Sequence, residues 1–174
     1  MVWKIVAQSV FGRPAAPRPV NAETVASLRE RMLSAGITRV GRALAIRHVP
    51  AGSCNGCELE LRATQNLIYD LTQYGLTFTP SPRHADVLLI TGVAGRNMVD
   101  AVRQLRAAMP DPVLVVALGD CAVDGGVFKG SPAVLGGAEE ILPVDLLIPG
   151  CAPEPARIIE GLIALIEANE LPIG

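Results

Sequence analysis

Four cysteines are the residues of this 174-residue chain whose types and spacing could do chemistry. Cys54 and Cys57 form a C-x-x-C pair, whereas Cys121 and Cys151 follow singly and far downstream. Thiolates bind soft and borderline metal ions, act as nucleophiles and form disulfides. The chain begins without the long apolar core and small-residue cleavage site of a secretory signal. We therefore expect a reducing compartment, in which the thiols stay free of disulfides.

A glycine lies within two residues of every one of these cysteines, in the runs Gly52-Ser-Cys54-Asn-Gly56-Cys57, Gly119-Asp-Cys121 and Gly150-Cys151. Because glycine has no side chain, it lets the backbone approach a bulky inorganic group closely. A 4Fe–4S cluster needs four thiolates with backbone N–H groups nearby, and the sequence supplies both. Two alternatives stay open: a structural zinc site, whose ligands usually arrive as two close pairs, and a thioredoxin-like dithiol, which would use only the first two cysteines.

The elements that must position the cysteines alternate between strand and helix. Short apolar runs predict strands at Leu44–Val49, Val87–Thr91, Val113–Leu118 and Asp145–Ile148. Apolar residues at helical spacing predict helices from Glu58 to about Tyr74, from Val99 to Met109, and from Pro155 to about Asn169. Continuous apolar strands are covered on both faces, which indicates a parallel sheet. The prediction is an α/β fold with an open, doubly wound sheet of about four strands, helices on both faces and the cysteines at strand ends.

The N-terminal part of the chain has a different composition from this domain. Residues 1–20 carry apolar side chains and then a Pro-rich stretch, which predicts an extended tail. The tail is either ordered by a partner or lies against a membrane surface. Residues 21–43 predict a capped amphipathic helix, which Gly36 ends, and a linker. The α/β domain is expected to cover residues 44–174.

Composition excludes several classes of function. Half of the residues are apolar and the mean hydropathy is +0.38, yet no apolar run reaches the roughly 18 to 20 residues of a membrane span. We expect a protein that is not integral to a membrane and whose surface is covered by partner subunits. A net charge of −2 without any Lys/Arg cluster argues against nucleic acid. The sequence contains no Ser-His-Asp set, P-loop or dinucleotide motif, so we expect no independent active site in this chain.

Four segments resemble those of a known family: Gly52 to Glu60, Ser81 to Gly92, Gly119-Asp-Cys121, and Pro143 to Pro155. They resemble the small subunit of membrane-bound, energy-converting NiFe hydrogenases, including the formate hydrogenlyase type. They are also similar to the homologous subunit of respiratory complex I that carries the terminal 4Fe–4S cluster. In that relative the first two ligands are adjacent cysteines, whereas two residues separate them here, as in the hydrogenases. The resemblance covers about residues 44–166.

The resemblance implies a flavodoxin-like domain that holds one 4Fe–4S cluster on Cys54, Cys57, Cys121 and Cys151. It implies electron transfer to a large subunit that carries the NiFe centre, with no catalytic residue in this chain. The expected further partners are a ferredoxin-like iron–sulfur subunit and integral membrane subunits, at the cytoplasmic face of the cytoplasmic membrane. The alternatives are a complex I-like quinone oxidoreductase subunit and a zinc-stabilised structural scaffold.

Other ionisable residues lie close to the expected site. Glu58 opens a helix, where the helix dipole favours a carboxylate, or it lies at the large-subunit interface or on a proton path. His48 and His84 are expected to make hydrogen bonds rather than bind metal. Arg83 and Arg96 flank the same sheet edge and are expected in solvent or at an interface.

Overall fold

The computed structural model describes residues 44–170, which form an α/β unit around one open sheet. The strands are β1 (Leu44–Pro50), β2 (Leu76–Phe78), β3 (Val87–Thr91), β4 (Leu114–Leu118) and β5 (Leu146–Ile148). Their order is β2-β1-β3-β4-β5 and every pair is parallel. This is the flavodoxin-like order, so the predicted fold class is confirmed. The tail predicted at 1–20, the helix predicted at 21–43 and residues 171–174 lie outside the described residues.

Helices cover both faces of the sheet. They are α1 (Gly56–Ala63), α2 (Val99–Ala107), α3 (Asp120–Asp124) and α4 (Pro155–Glu170). On one face, Leu61 of α1 and Ile158 and Leu162 of α4 join one hydrophobic cluster. On the other face, Val99 and Val102 of α2 join a second cluster. Every residue of β3 and β4 is buried, which explains why their sequences are continuously apolar.

The helix that was predicted from Glu58 to about Tyr74 ends much earlier, at Ala63. Polar side chains bind the backbone beyond that point and compete with helical hydrogen bonds. Asn66 Oδ1 accepts from the backbone N–H groups of Ile68 and Tyr69, and Asp70 Oδ1 accepts from that of Thr72. The chain then makes a 3₁₀ turn and enters β2.

Strand β2 brings the sheet to five strands, one more than the approximate number predicted. It has three residues and, within residues 44–170, pairs with β1 alone, at the edge of the sheet. Three residues are too few for a pattern of buried and exposed positions to be recognised in the sequence. The strand ends that matter for the cysteines were predicted to within a residue or two.

Parallel pairing brings the carboxyl ends of the strands to one edge, and the cysteine-bearing loops leave from there. The β1–α1 loop stays joined to β3, because the N–H of Ala51 donates to the carbonyl of Thr91 at 2.8 Å. The turn after β4 stays joined to β5, because the N–H of Gly119 donates to the carbonyl of Ile148 at 2.8 Å. Among the helices of residues 44–170, none is both long and apolar enough to cross a membrane.

Candidate metal centre

The structure brings the four predicted cysteines to one cavity. Cys54 and Cys57 come from the β1–α1 junction, Cys121 lies in α3 directly after β4, and Cys151 follows β5. All four line one small cavity at the carboxyl ends of the strands. None is in a disulfide, and their exposure ranges from buried Cys57 to exposed Cys54 and Cys151. The cavity therefore opens at the surface beyond the strand ends.

Glycine makes room for the sulfur atoms at two positions. Gly119 has φ +90°, and a Cβ there would lie 2.5 Å from Cys57 Sγ. Gly126 has φ +50°, and a Cβ there would lie 3.0 Å from Cys121 Sγ. Both backbone conformations disfavour residues with side chains, and both added atoms would press on a thiol. The backbone is thus shaped around the sulfur atoms.

Asp120 ties two of the cysteine loops together. Its Oδ1 accepts a hydrogen bond from the backbone N–H of Gly150 at 2.7 Å, and its own N–H donates to the carbonyl of Gly150 at 2.9 Å. This reciprocal pair fixes the residue before Cys121 against the residue before Cys151. Asp120 is therefore a positioning residue for both thiols.

The thiols also interact electrostatically. Burial, followed by the neighbouring charges of Glu58 and the other three cysteines, raises the pKa of Cys57 to about 11. Burial and then Cys151, Cys54 and Asp120 raise the pKa of Cys121. Four thiolates in this space would repel one another, so the charged donor set needs a cationic group among them. Within residues 44–170, no three His, Cys, Asp or Glu side chains are grouped closely enough to hold a single metal ion.

Glu58 is the centre of a hydrogen-bond network beside the cavity. It is 8% exposed, and it accepts from Ser53 Oγ at 2.5 Å and from the Thr91 hydroxyl. Burial on its own would raise the pKa of Glu58, but these two hydrogen bonds, the backbone and nearby His48 together lower it below the ordinary value. Glu58, which directly follows Cys57, is therefore a carboxylate fixed in place by hydrogen bonds.

His48 extends this network away from the cysteines. Its Nε2 is 2.9 Å from Thr91 Oγ1 and 3.9 Å from Glu58 Oε1. Burial lowers the pKa of His48, Glu58 raises it, and Arg47 and Arg62 lower it further, with a net result below the ordinary value. His48 is thus a neutral hydrogen-bonding partner near pH 7.

The remaining ionisable residues that the sequence singled out lie at the surface. His84 and Arg83 are exposed, in a 3₁₀ turn before β3. Arg96 is also exposed, and its Nε donates to the carbonyl of Pro132 at 2.7 Å.

Three residues of the site were not assigned a role from the sequence: Ser53, Thr91 and Asp120. Thr91 could have been recognised from the sequence, because it is a polar residue that ends an otherwise apolar buried strand at the ligand-binding edge of the sheet. Ser53 and Asp120 each directly precede a cysteine, but nothing in one sequence identifies the distant groups that they bind.

A flavodoxin-like sheet whose strand ends present four free thiols around one cavity defines an α/β subunit with a cysteine-lined centre. Residues 54–165 match the family described as the 20 kDa subunit of NADH ubiquinone oxidoreductase. The chain belongs to this family. The resemblance found from the cysteine-bearing segments is thereby confirmed, and with it the class of protein, a subunit of multi-subunit oxidoreductases.

Two of the proteins that this chain is similar to are hydrogenase or hydrogenlyase subunits by name. A probable membrane-bound hydrogenase subunit of Pyrococcus furiosus is 39% identical over 128 residues, which are 74% of this chain and 77% of that protein. Formate hydrogenlyase subunit 7 of Escherichia coli is 38% identical over 139 residues. That match covers 80% of this chain but 53% of subunit 7, so the chain spans about half the length of that relative.

Solved structures give the same fold. A chain of the archaeal membrane-bound sulfane sulfur reductase superimposes with a TM-score of 0.65 and 31% identity, over 74% of this chain and 71% of that one. A chain of the NiFeSe hydrogenase of Desulfovibrio vulgaris Hildenborough has a TM-score of 0.52 and 21% identity, over 72% of this chain and 59% of that one. The second likeness concerns the fold alone.

Proposed function

We propose that the chain is the electron-transfer subunit of a membrane-bound, NiFe hydrogenase-like complex, and that it holds one 4Fe–4S cluster on Cys54, Cys57, Cys121 and Cys151. The observation that carries the proposal is the meeting of four free thiols, from three segments that each follow a strand, around one cavity. When bound, such a cluster accepts and donates single electrons. The hydrogenase names of two relatives and the C-x-x-C spacing favour the hydrogenase branch.

The residues of the chain would hold the group and set its surroundings. Gly119 and Gly126 leave space for the sulfur atoms, and the Asp120–Gly150 pair keeps two ligand loops together. Glu58 keeps a negative charge beside Cys57, where it opposes the addition of an electron. We assign Glu58 to the interface with the large subunit, or to a proton path that reaches it.

The proposed partners are a NiFe-type large subunit, a ferredoxin-like iron–sulfur subunit and integral membrane subunits, assembled at the cytoplasmic face of the membrane. A partner subunit that covered the cavity would protect the site from water. The surface around the cavity carries exposed apolar side chains, as a subunit interface does. Val127 is 82% exposed and lies with Cys121 and Cys151 around a neighbouring pocket, and Phe128 is 41% exposed. Exposed apolar groups of this size next to a functional site are typical of subunit contacts.

Iron and acid-labile sulfide analysis with low-temperature EPR tests the cofactor on anaerobically purified protein, before and after dithionite. We expect about four irons and four sulfides per chain and a signal that appears on reduction. Serine substitution at each cysteine should lower the iron content, whereas Ala133→Ser, on an exposed loop, should leave it unchanged. One zinc without sulfide would instead support the structural scaffold and overturn electron transfer.

A second candidate is a complex I-like quinone oxidoreductase subunit, which the description of the family itself favours. The metal content of the partner separates the two candidates. We would purify the intact complex through a tag on this chain and measure nickel and hydrogen uptake with a viologen dye. Nickel with hydrogen uptake supports the hydrogenase; a nickel-free complex that reduces quinone supports the alternative.

A further inference from the structure

A second pocket lies beside the cysteine loop, between α1, β1 and the end of β2. The polar residues that line it are Arg47, His48, Glu58, Arg62, Gln65 and Thr79. Leu61 and Phe78 add apolar wall. The cysteines are not among its lining residues. Glu58 lines this pocket and also belongs to the hydrogen-bond network beside the cysteine-lined cavity.

Positive charge exceeds negative charge in this pocket. Arg47 and Arg62 are permanently charged donors, and among the described residues that line the pocket Glu58 is the one acidic side chain. The two carboxylate oxygens of Glu58 already accept from Ser53 and Thr91. The pocket therefore has cationic donors that its own carboxylate does not satisfy.

Arg47 in particular lacks an acceptor within residues 44–170. Its Nε is buried and has no hydrogen-bond partner in this part of the chain. Among the residues that the structure describes, neither Arg47 nor Arg62 forms a salt bridge. A buried donor left unpaired is unfavourable, so an acceptor that enters the pocket would be stabilised there.

We propose that this pocket binds a carboxylate group, held by Arg47 and Arg62. A guanidinium presents its N–H groups as a planar fork that matches the two oxygens of a carboxylate. Gln65 and Thr79 offer further neutral donors, and Leu61 and Phe78 suit the carbon skeleton that a carboxylate carries. The group belongs either to a small organic acid or to an acidic side chain of the large subunit, and the second source rests on the function proposed above.

The first measurement uses acetate and the full chain. The Nε–H signals of the arginines are followed by ¹H–¹⁵N NMR as acetate is added at constant ionic strength. We expect saturable shifts of the Arg47 and Arg62 signals, and binding weaker by on the order of tenfold in either Arg47→Gln or Arg62→Gln. Arg103→Gln is the matched control, because Arg103 is an exposed arginine on α2, at the opposite face of the sheet.

The second measurement uses the intact complex and asks at which salt concentration the large subunit dissociates from the tagged chain. If the large subunit dissociates at a lower salt concentration from Arg47→Gln and Arg62→Gln, but not from Arg103→Gln, the ligand is a carboxylate of the large subunit. Saturable acetate binding without this effect identifies a free organic acid. The site is overturned if acetate shifts all arginines alike and the three variants dissociate at the same salt concentration. The acetate result does not depend on the cluster or on hydrogen chemistry, so it can fail or succeed separately from the proposed function.

Discussion

Gly119→Ala tests directly whether the backbone after β4 must leave room for Cys57. Gly119 has φ +90° and ψ 154°, a region of backbone conformation that is essentially restricted to glycine. The added methyl group would lie 2.5 Å from Cys57 Sγ and 3.3 Å from the carbonyl oxygen of Gly150. Both contacts belong to loops that carry proposed ligands, so neither neighbour can move without moving a thiol.

The size of the effect follows from two contributions. An alanine held in this backbone conformation costs about 1–3 kcal/mol. Overpacking a methyl group against atoms that cannot retreat adds typically about 1–3 kcal/mol. Gly119→Ala should therefore reduce the free energy of unfolding by about 2–6 kcal/mol, a large share of the roughly 5–15 kcal/mol of an ordinary domain.

Gly130→Ala separates strain from collision. Gly130 has a similar φ of +83°, but no atom lies within 4 Å of an added Cβ. This control should lose only about 1–2 kcal/mol of stability and retain its full iron content. Urea unfolding of the metal-free chain and iron analysis of the loaded chain measure the two effects. Equal losses of stability in both variants, or a full complement of iron in Gly119→Ala, would refute the idea that this glycine makes room for the thiol.

Three further predictions concern the residues around the cavity. Thr91→Val removes a hydroxyl donor to Glu58, so urea unfolding at about pH 7 should show a loss of about 1–3 kcal/mol. Because the hydroxyl lowers the pKa of Glu58 in the folded state, this loss should disappear as the pH falls through that pKa, which a series of unfolding measurements at decreasing pH follows. Glu58→Gln removes a negative charge beside the proposed cluster, and redox titration by EPR should show a potential higher by on the order of tens of millivolts. Asp120→Ala removes the acceptor for the N–H of Gly150, and a chelator should release iron on the order of tenfold faster.

Each of these variants has a matched control. Thr64→Val removes a buried hydroxyl that donates to a carbonyl, so its cost should not change with pH. Glu60→Gln removes the same charge two residues further along α1 and should shift the potential less. Asp120→Asn keeps an acceptor oxygen and should release iron at nearly the native rate. A pH-independent loss in Thr91→Val, equal potentials in the two glutamine variants, or equal iron release in the two Asp120 variants would contradict the corresponding assignment.

Much of the architecture could be read from local pattern. The apolar runs that become β1, β3, β4 and β5 were recognisable because each contains buried apolar residues, and β3 and β4 are buried along their whole length. The end of α1 could not be read in the same way, because apolar spacing continues past Ala63 while the side chains of Asn66 and Asp70 redirect the backbone. Propensity on its own does not decide such a competition.

The sequence by itself determined the class of site: four cysteines, each within two residues of a glycine and each after a predicted strand, specify thiol chemistry at one edge of a parallel sheet. Only the tertiary structure decided which groups serve those thiols. Asp120 meets Gly150 and Thr91 meets Glu58 because strand pairing brings distant segments together. Local sequence encodes propensity and burial, whereas contacts between distant residues depend on register and crossover, which one sequence does not display.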